Sequence, residues 1–270
     1  MTVQQGVQLE VRSSGHGEPL MLIQTALLPD EVARLGGQPE LSDGHRVVDL
    51  RRRGYGMASP PRGSGSVALD SRDCLAVLRA LGIDRAHVVG ASYSAAVALE
   101  LLATAPGMVA SLTVIEPPPV HGAYRHEFRE ANERLVRIFI EQGVTAALDE
   151  FSRALGGPSW LDERTSAGDD HVAGVRRDAT TFFASDIPAL LNWTVDPGRL
   201  AGLRVPVLTL GGADTHEWFR DMPAWVAGLL PHSEPHLSSG AGHGIVGTHT
   251  AEVAQLLADF VGRHRRHGPG

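Results

Sequence analysis

Hydrophobic positions along this chain switch repeatedly between two spacings. Val7, Leu9 and Val11 alternate with polar residues as far as Ser13-Ser14-Gly15, the pattern of a strand with one covered face followed by a turn. Leu20-Met21-Leu22-Ile23 is an unbroken apolar run, as expected of a strand covered on both faces. Arg46 to Leu50 predicts another strand, and Gly54-Tyr55-Gly56 with Pro60-Pro61-Arg62-Gly63 predicts a long turn. From Asp70 to Leu81, Cys74, Leu75, Leu78 and Leu81 recur at helical spacing, and Gly82 supplies the stop. His87 to Gly90 predicts a buried strand, Ser94 to Ala103 an Ala- and Leu-rich helix, and Leu112 to Ile115 a further strand.

Pro117-Pro118-Pro119 can continue neither a ladder nor a helix, so the chain must leave the sheet there. Up to Leu203 the pattern is helical, over Tyr124 to Gln142, Val144 to Leu155 and His171 to Trp193. Strands resume at Val205 to Leu210 and near Glu234 to Leu237, and Val253, Leu256, Leu257, Phe260 and Val261 form the core-facing stripe of a last helix. Strands alternating with helices predict an α/β fold: a mostly parallel sheet with helices on both faces, built from residues 1–119 and 200–270, with an inserted helical cap over 120–199. Functional groups then belong at the carboxyl ends of the strands.

Composition narrows the functions open to such a fold. A formal charge of -7 gives no electrostatic reason to approach nucleic acid or an anionic membrane. The basic runs Arg51-Arg52-Arg53, beside a turn, and Arg263-His264-Arg265-Arg266-His267 read as solvated surface. The single cysteine, Cys74, allows no internal disulfide and reads as a packed core thiol. No stretch approaches the ~18 apolar residues of a membrane span, and the N-terminus has no signal-peptide pattern, so a cytoplasmic protein is expected. The histidines are scattered. The pair His232 and His236 has Pro235 inside it and no acidic third ligand in register, so neither metal nor cofactor is expected.

Chemistry is suggested first at Gly90-Ala91-Ser92-Tyr93-Ser94, between a buried strand and a helix. A serine on a sharp strand-to-helix turn needs small residues two positions to either side; Gly90 meets that need and Ser94 departs mildly from the usual glycine. A plain helix N-cap is the alternative use of such a serine. The segment from Leu81 to Gly90 and the turn from Asp49 to Ser59 accompany it, and with these the chain resembles the α/β-hydrolase family over nearly its whole length.

That resemblance assigns Ser92 as nucleophile and His243, in Ser239-Gly240-Ala241-Gly242-His243, as its base. Chemically the pairing is needed because an alcohol is a poor nucleophile until a neutral imidazole takes its proton. Two carboxylates compete to orient the imidazole. Asp214, in Gly211-Gly212-Ala213-Asp214, occupies the family's usual acid position and is favoured. Glu116, ending the strand after the elbow helix and 24 positions after Ser92, resembles the variant of haloalkane dehalogenases and zearalenone-type lactone hydrolases. The resemblance also implies an oxyanion hole from the Tyr93 N–H and one in Gln24-Thr25-Ala26, placed at Ala26 with Thr25 beside it, where the family commonly has His-Gly. Gln24, Trp160, Phe183, Trp193 and Trp218 are candidate pocket residues, with Phe182 and Phe219 nearby. The expected function is hydrolysis of a carboxylic ester or lactone of a small, largely apolar molecule. A C–C bond hydrolase, thioesterase or cyclase with the same triad, and a non-catalytic receptor, are the alternatives. A small-molecule substrate is the expected partner, and a homodimer is admissible.

Overall fold

The computed structural model describes residues 1–2, 6–27, 29–61, 63–154 and 169–264. Trp160 and the tail beyond His264 lie outside them. Its strands are β1 (Glu10–Ser14), β2 (Glu18–Ile23), β3 (His45–Arg51), β4 (Ala86–Ala91), β5 (Val109–Ile115), β6 (Val207–Gly212) and β7 (Ser233–Ser238). They form one sheet in the order β1-β3-β2-β4-β5-β6-β7. Only the β1–β3 pairing is antiparallel; β2 to β7 run parallel, with Ile23 opposite Gly90 and Ala91 opposite Ile115.

Because successive strand residues point to opposite faces, the apolar runs of β2 to β6 feed two cores. Met21, Ile23, Val88, Leu112 and Val114 pack under helices Val67–Ala80 and Tyr93–Thr104. Leu20, Leu22, Val89, Ile115 and Leu210 pack under helices Pro29–Gly36 and Thr250–Arg263, whose Val253, Leu257, Phe260 and Val261 are buried. Cys74 is fully buried in the first core. Ser66 starts its helix by accepting the Leu69 N–H, four residues before the start at Asp70 that the apolar spacing predicts.

Between β5 and β6 the described elements are all helical: Arg125–Gln142, Val144–Ala154, Asp169–Thr181, Ile187–Leu191 and Pro197–Leu200. Phe182–Asp186, expected inside one continuous helix, forms a π-helical turn. This insertion has its own core of Leu135, Leu148, Phe182, Phe183 and Ile187, and Leu27 packs into it from the body of the protein. Trp193 Nε1–H donates to Glu100 Oε2 of helix Tyr93–Thr104 at 3.2 Å, tying the insertion to the sheet layer.

The short helices Pro29–Gly36 and Pro39–Ser42 span eight and four residues, too few to establish a period along the chain, and the sequence pattern does not predict them. One expectation is corrected. Arg51, Arg52 and Arg53 are not solvated surface: all three are buried, against Glu10 and Asp30, Asp70 and Asp186, and Asp73 respectively. A charge run next to a turn cannot reveal its partners when those lie on separate elements. No helix among the described residues is long and apolar enough to cross a membrane.

Candidate active site

Ser92 stands between the end of β4 and the first turn of helix Tyr93–Thr104, with φ 51° and ψ -120°. An L-residue adopts that backbone only under strain, which the surrounding contacts must hold in place. They do so closely: a Cβ at Gly90 would come within 2.1 Å of the Ser94 carbonyl oxygen, so only glycine fits there. Ser94 is accommodated because its hydroxyl donates to Ala91 O at 2.9 Å and accepts the Ala91 N–H at 2.8 Å, bracing the turn. The Ser92 N–H in turn donates to Ile115 O of the neighbouring strand at 2.9 Å.

His243 reaches back over this elbow. Its Nε2 lies 3.2 Å from Ser92 Oγ and its Nδ1 lies 3.2 Å from Glu116 Oε2. Phe219 stacks on the imidazole, with centroids 4.1 Å apart. Glu116, at the end of β5, is 3% exposed and has φ 48°, a second strained non-glycine position. Its Oε1 accepts the Gly212 N–H at 2.7 Å and its Oε2 accepts the Thr215 hydroxyl at 2.6 Å. These two donors hold the carboxylate aimed at the ring.

The favoured acid, Asp214, is not in this constellation. It is exposed, and its main-chain N–H donates to Ala241 O at 2.9 Å. The Gly211-Gly212 end of β6, which resembles the approach to an acid-bearing loop, instead serves Glu116. A Cβ at Gly212 would meet Ala241 O at 2.1 Å, so glycine is required for the histidine loop to approach. The same residue supplies the N–H that Glu116 accepts.

On the other side of Ser92, Thr25 and Ala26 border the elbow. Thr25 Oγ1–H donates to Ala91 O at 2.7 Å, fixing this segment against the residue before the nucleophile, and Leu27 turns the chain with φ 65°. The Tyr93 N–H belongs to the first helical turn, where main-chain N–H groups have no intrahelical acceptor. Gln24 faces away from the cavity. Its Oε1 accepts the Arg52 main-chain N–H at 3.1 Å and its carbonyl accepts Arg52 Nε–H at 2.9 Å.

Ser92, His243 and Glu116 line a cavity of about 700 Å³. Ala26, Leu27, Leu135, Phe182, Ile187 and Leu190 give it apolar walls, together with Phe128, Trp218 and Phe219, the last stacked on the imidazole. Phe183 and Trp193, expected as wall residues, are not among its lining; Phe183 is fully buried in the core of the insertion and Trp193 bonds Glu100. At helical spacing, neighbouring aromatics divide between packing and pocket by rotation alone, which sequence does not fix.

Behind the elbow sits a buried polar network that the sequence reading missed. The Arg52 guanidinium lies 4.2 Å from the Tyr93 ring centroid and 4.9 Å from that of Tyr55. Its Nη1 donates to Asp70 Oδ2 and Asp186 Oδ1, both at 3.0 Å, and its Nη2 to Asp186 Oδ2 at 2.7 Å. The Tyr93 hydroxyl donates to Asp70 Oδ2 at 3.0 Å and the Tyr55 hydroxyl to Asp186 Oδ2 at 2.5 Å. Burial works against the Arg52 charge, but Asp186 and then Asp70 outweigh it and hold the guanidinium firmly protonated. Burial also pushes the Asp70 carboxyl up to about 6, with Arg52 drawing it back.

The chain matches the family model described as "Alpha/beta hydrolase family" over residues 16–256. A 2-hydroxy-6-oxononadienedioate/2-hydroxy-6-oxononatrienedioate hydrolase of Paraburkholderia phymatum is 26% identical over 238 residues, covering 82% of this chain and 77% of its relative. Among solved structures, a thermophilic esterase from Thermogutta terrifontis superposes with a TM-score of 0.79 at 17% identity, covering 98% of both chains. The enol-lactonase from Burkholderia xenovorans superposes with a TM-score of 0.76 at 18% identity, covering 97% of this chain and 99% of its own. With a family match spanning β2 to β7, the elbow and the histidine loop, the protein belongs to the α/β-hydrolase family and is an enzyme of the hydrolase class.

Proposed function

We propose that the protein hydrolyses a carboxylic ester or lactone of a small, largely apolar molecule through an acyl-Ser92 intermediate. The observation that carries the reading is the single line Ser92 Oγ, His243 and Glu116, with 3.2 Å on each side of the imidazole, on the wall of an apolar cavity. Ser92 Oγ–H donates to Nε2, so the ring carries its one proton on Nδ1 and donates it to Glu116. Attack of Oγ on the acyl carbon passes the hydroxyl proton to Nε2 and places negative charge on the former carbonyl oxygen. The Tyr93 and Ala26 N–H groups are assigned to receive that charge. Collapse of the intermediate breaks the acyl–oxygen bond and returns the proton from Nε2 to the leaving alkoxide. A water molecule then repeats the sequence on the acyl-enzyme, giving the acid and free Ser92. For a lactone, alcohol and acid leave as one molecule.

The size and apolar character of the cavity support a substrate held mainly by hydrophobic contact, with few polar anchors. A second reading, C–C bond hydrolysis with the same three residues, is favoured by the name of the Paraburkholderia phymatum relative. The deciding experiment is fluorophosphonate labelling mapped by mass, beside a panel of esters, lactones and vinylogous diketones. Ser92 labelling that is lost in His243→Ala, with turnover of esters or lactones, is expected. Absence of labelling overturns the acyl-serine reading, and turnover of diketones alone selects C–C hydrolysis.

A further inference from the structure

Arg52 is enclosed on every side by groups that lead to the reacting centre. Towards β2, its main-chain N–H and Nε–H bracket Gln24, the residue immediately before Thr25 and Ala26. The Gln24 N–H is itself held by Leu50 O at 3.0 Å, so residue 24 is fixed at its main-chain N–H, its carbonyl and its side chain. Towards the elbow, the guanidinium plane meets the Tyr93 ring, whose hydroxyl shares Asp70 Oδ2 with Arg52 Nη1. Towards the insertion, it forms a two-pronged pair with Asp186, which closes the π-helical turn Phe182–Asp186 and lines the cavity. π-helical turns recur at functional sites because they re-aim the residues they carry.

We propose that Arg52 is a positioning residue: its buried guanidinium sets the spacing between the Thr25–Ala26 segment and the Tyr93 N–H, and locks that spacing to Asp186 of the helical insertion. The proposal rests on the assignment of those two segments as the oxyanion hole. A planar five-donor fork is needed for the task, because the carbonyl of Gln24, Asp70 and Asp186 lie in different directions around one group; an ammonium at the end of a flexible stem cannot serve all three. The segment carries Gln24-Thr25-Ala26 with no glycine, and its conformation, with Leu27 at positive φ, is held from outside. A displacement of about 1 Å in such a hole lowers turnover about 100-fold while leaving ground-state binding by the apolar walls largely intact.

The test uses Arg52→Lys and the milder Asp186→Asn, which keeps the Gln24 and Asp70 contacts. Each is assayed on an activated ester, with a trifluoromethyl ketone, which adds Ser92 Oγ and leaves an oxyanion in the hole, and with the corresponding secondary alcohol, which fills the cavity without forming one. Arg52→Lys is expected to lower kcat and trifluoromethyl ketone affinity together, by about 10- to 100-fold, with KM and alcohol affinity within about threefold. Asp186→Asn is expected to shift the same two quantities by a smaller factor, and it alone decides the matter if the lysine variant does not fold. Equal losses in ketone and alcohol affinity, or unchanged kcat, overturn the proposal and leave the network a stabilising one only. A wild-type protein that neither turns over the ester nor forms the ketone adduct overturns the acyl-serine reading instead, which separates the two failures.

Discussion

Glu116 Oε2 lies 3.2 Å from His243 Nδ1, and the same carboxylate is held by the N–H of Gly212, the last residue of β6, and by the Thr215 hydroxyl just beyond it. The carboxylate beside the imidazole is thus carried by the residue that follows β5, while the end of β6 contributes the donors that hold it. Both strands end side by side in the sheet, with Ile115 opposite Leu210, so either can deliver a carboxylate to the same point below the imidazole. Which one does so decides the first two predictions.

Glu116→Gln keeps the volume of the side chain and removes its charge, so the imidazole loses its orienting partner and can adopt the wrong tautomer. Its kcat on an activated ester is expected to fall by about 1,000- to 10,000-fold, while Asp214→Asn stays within about threefold. Steady-state turnover of the two variants, with circular dichroism to confirm folding, checks this. A large loss in Asp214→Asn with little in Glu116→Gln reverses the assignment.

Thr215→Val replaces the hydroxyl with a methyl of similar size and leaves Glu116 Oε2 with the histidine as its remaining partner. A buried carboxylate that loses a hydrogen bond costs about 1–3 kcal/mol, so the thermal midpoint should drop. Turnover should fall by about tenfold as the carboxylate gains freedom. Differential scanning calorimetry and ester kinetics on one preparation test both, and an unchanged midpoint counts against the contact.

Gly90→Ala places a methyl 2.1 Å from the Ser94 carbonyl oxygen, a distance that the backbone of helix Tyr93–Thr104 cannot accept without moving. Loss of folded protein, or of Ser92 labelling in whatever folds, is expected. Ser94→Gly removes two hydrogen bonds at the elbow but meets no clash, so it should retain activity at a cost of about 1–2 kcal/mol in urea denaturation.

Asp70 supplies a pH dependence of defined sign. Burial raises its carboxyl to about 6, so the folded protein holds that proton more tightly than the unfolded chain does. Stability gained by the protonated form is complete below the unfolded value near ~4 and is lost as pH rises to about 6. Wild type should thus lose up to roughly 3 kcal/mol relative to Asp70→Asn across that window, with a flat difference above it. Urea midpoints of both proteins from pH 4 to 7 measure this, and a difference that grows in favour of wild type with rising pH contradicts it.

Much of this protein is legible from residue pattern because the physics involved is local. Period-two and period-3.6 apolar spacing set strands and helices, three consecutive prolines end the sheet run at Glu116, and Gly90 with Ser92 marks a turn that few sequences tolerate. Burial of Cys74 and the alternation of β2 residues between two cores follow from the same spacing. What only the tertiary structure decided lies where distant segments meet. Asp214 and Glu116 follow adjacent parallel strands and are chemically equivalent along the chain; that the Glu116 side chain, with φ 48° and donors from Gly212 and Thr215, is the one lying beside the imidazole is visible only in three dimensions. Arg52 looks like one of three surface arginines until Asp70 and Asp186, one from a core helix and one from the insertion 134 positions away, close around it. A buried charge is stable only with its partners in place, and a linear chain does not display which partners will arrive.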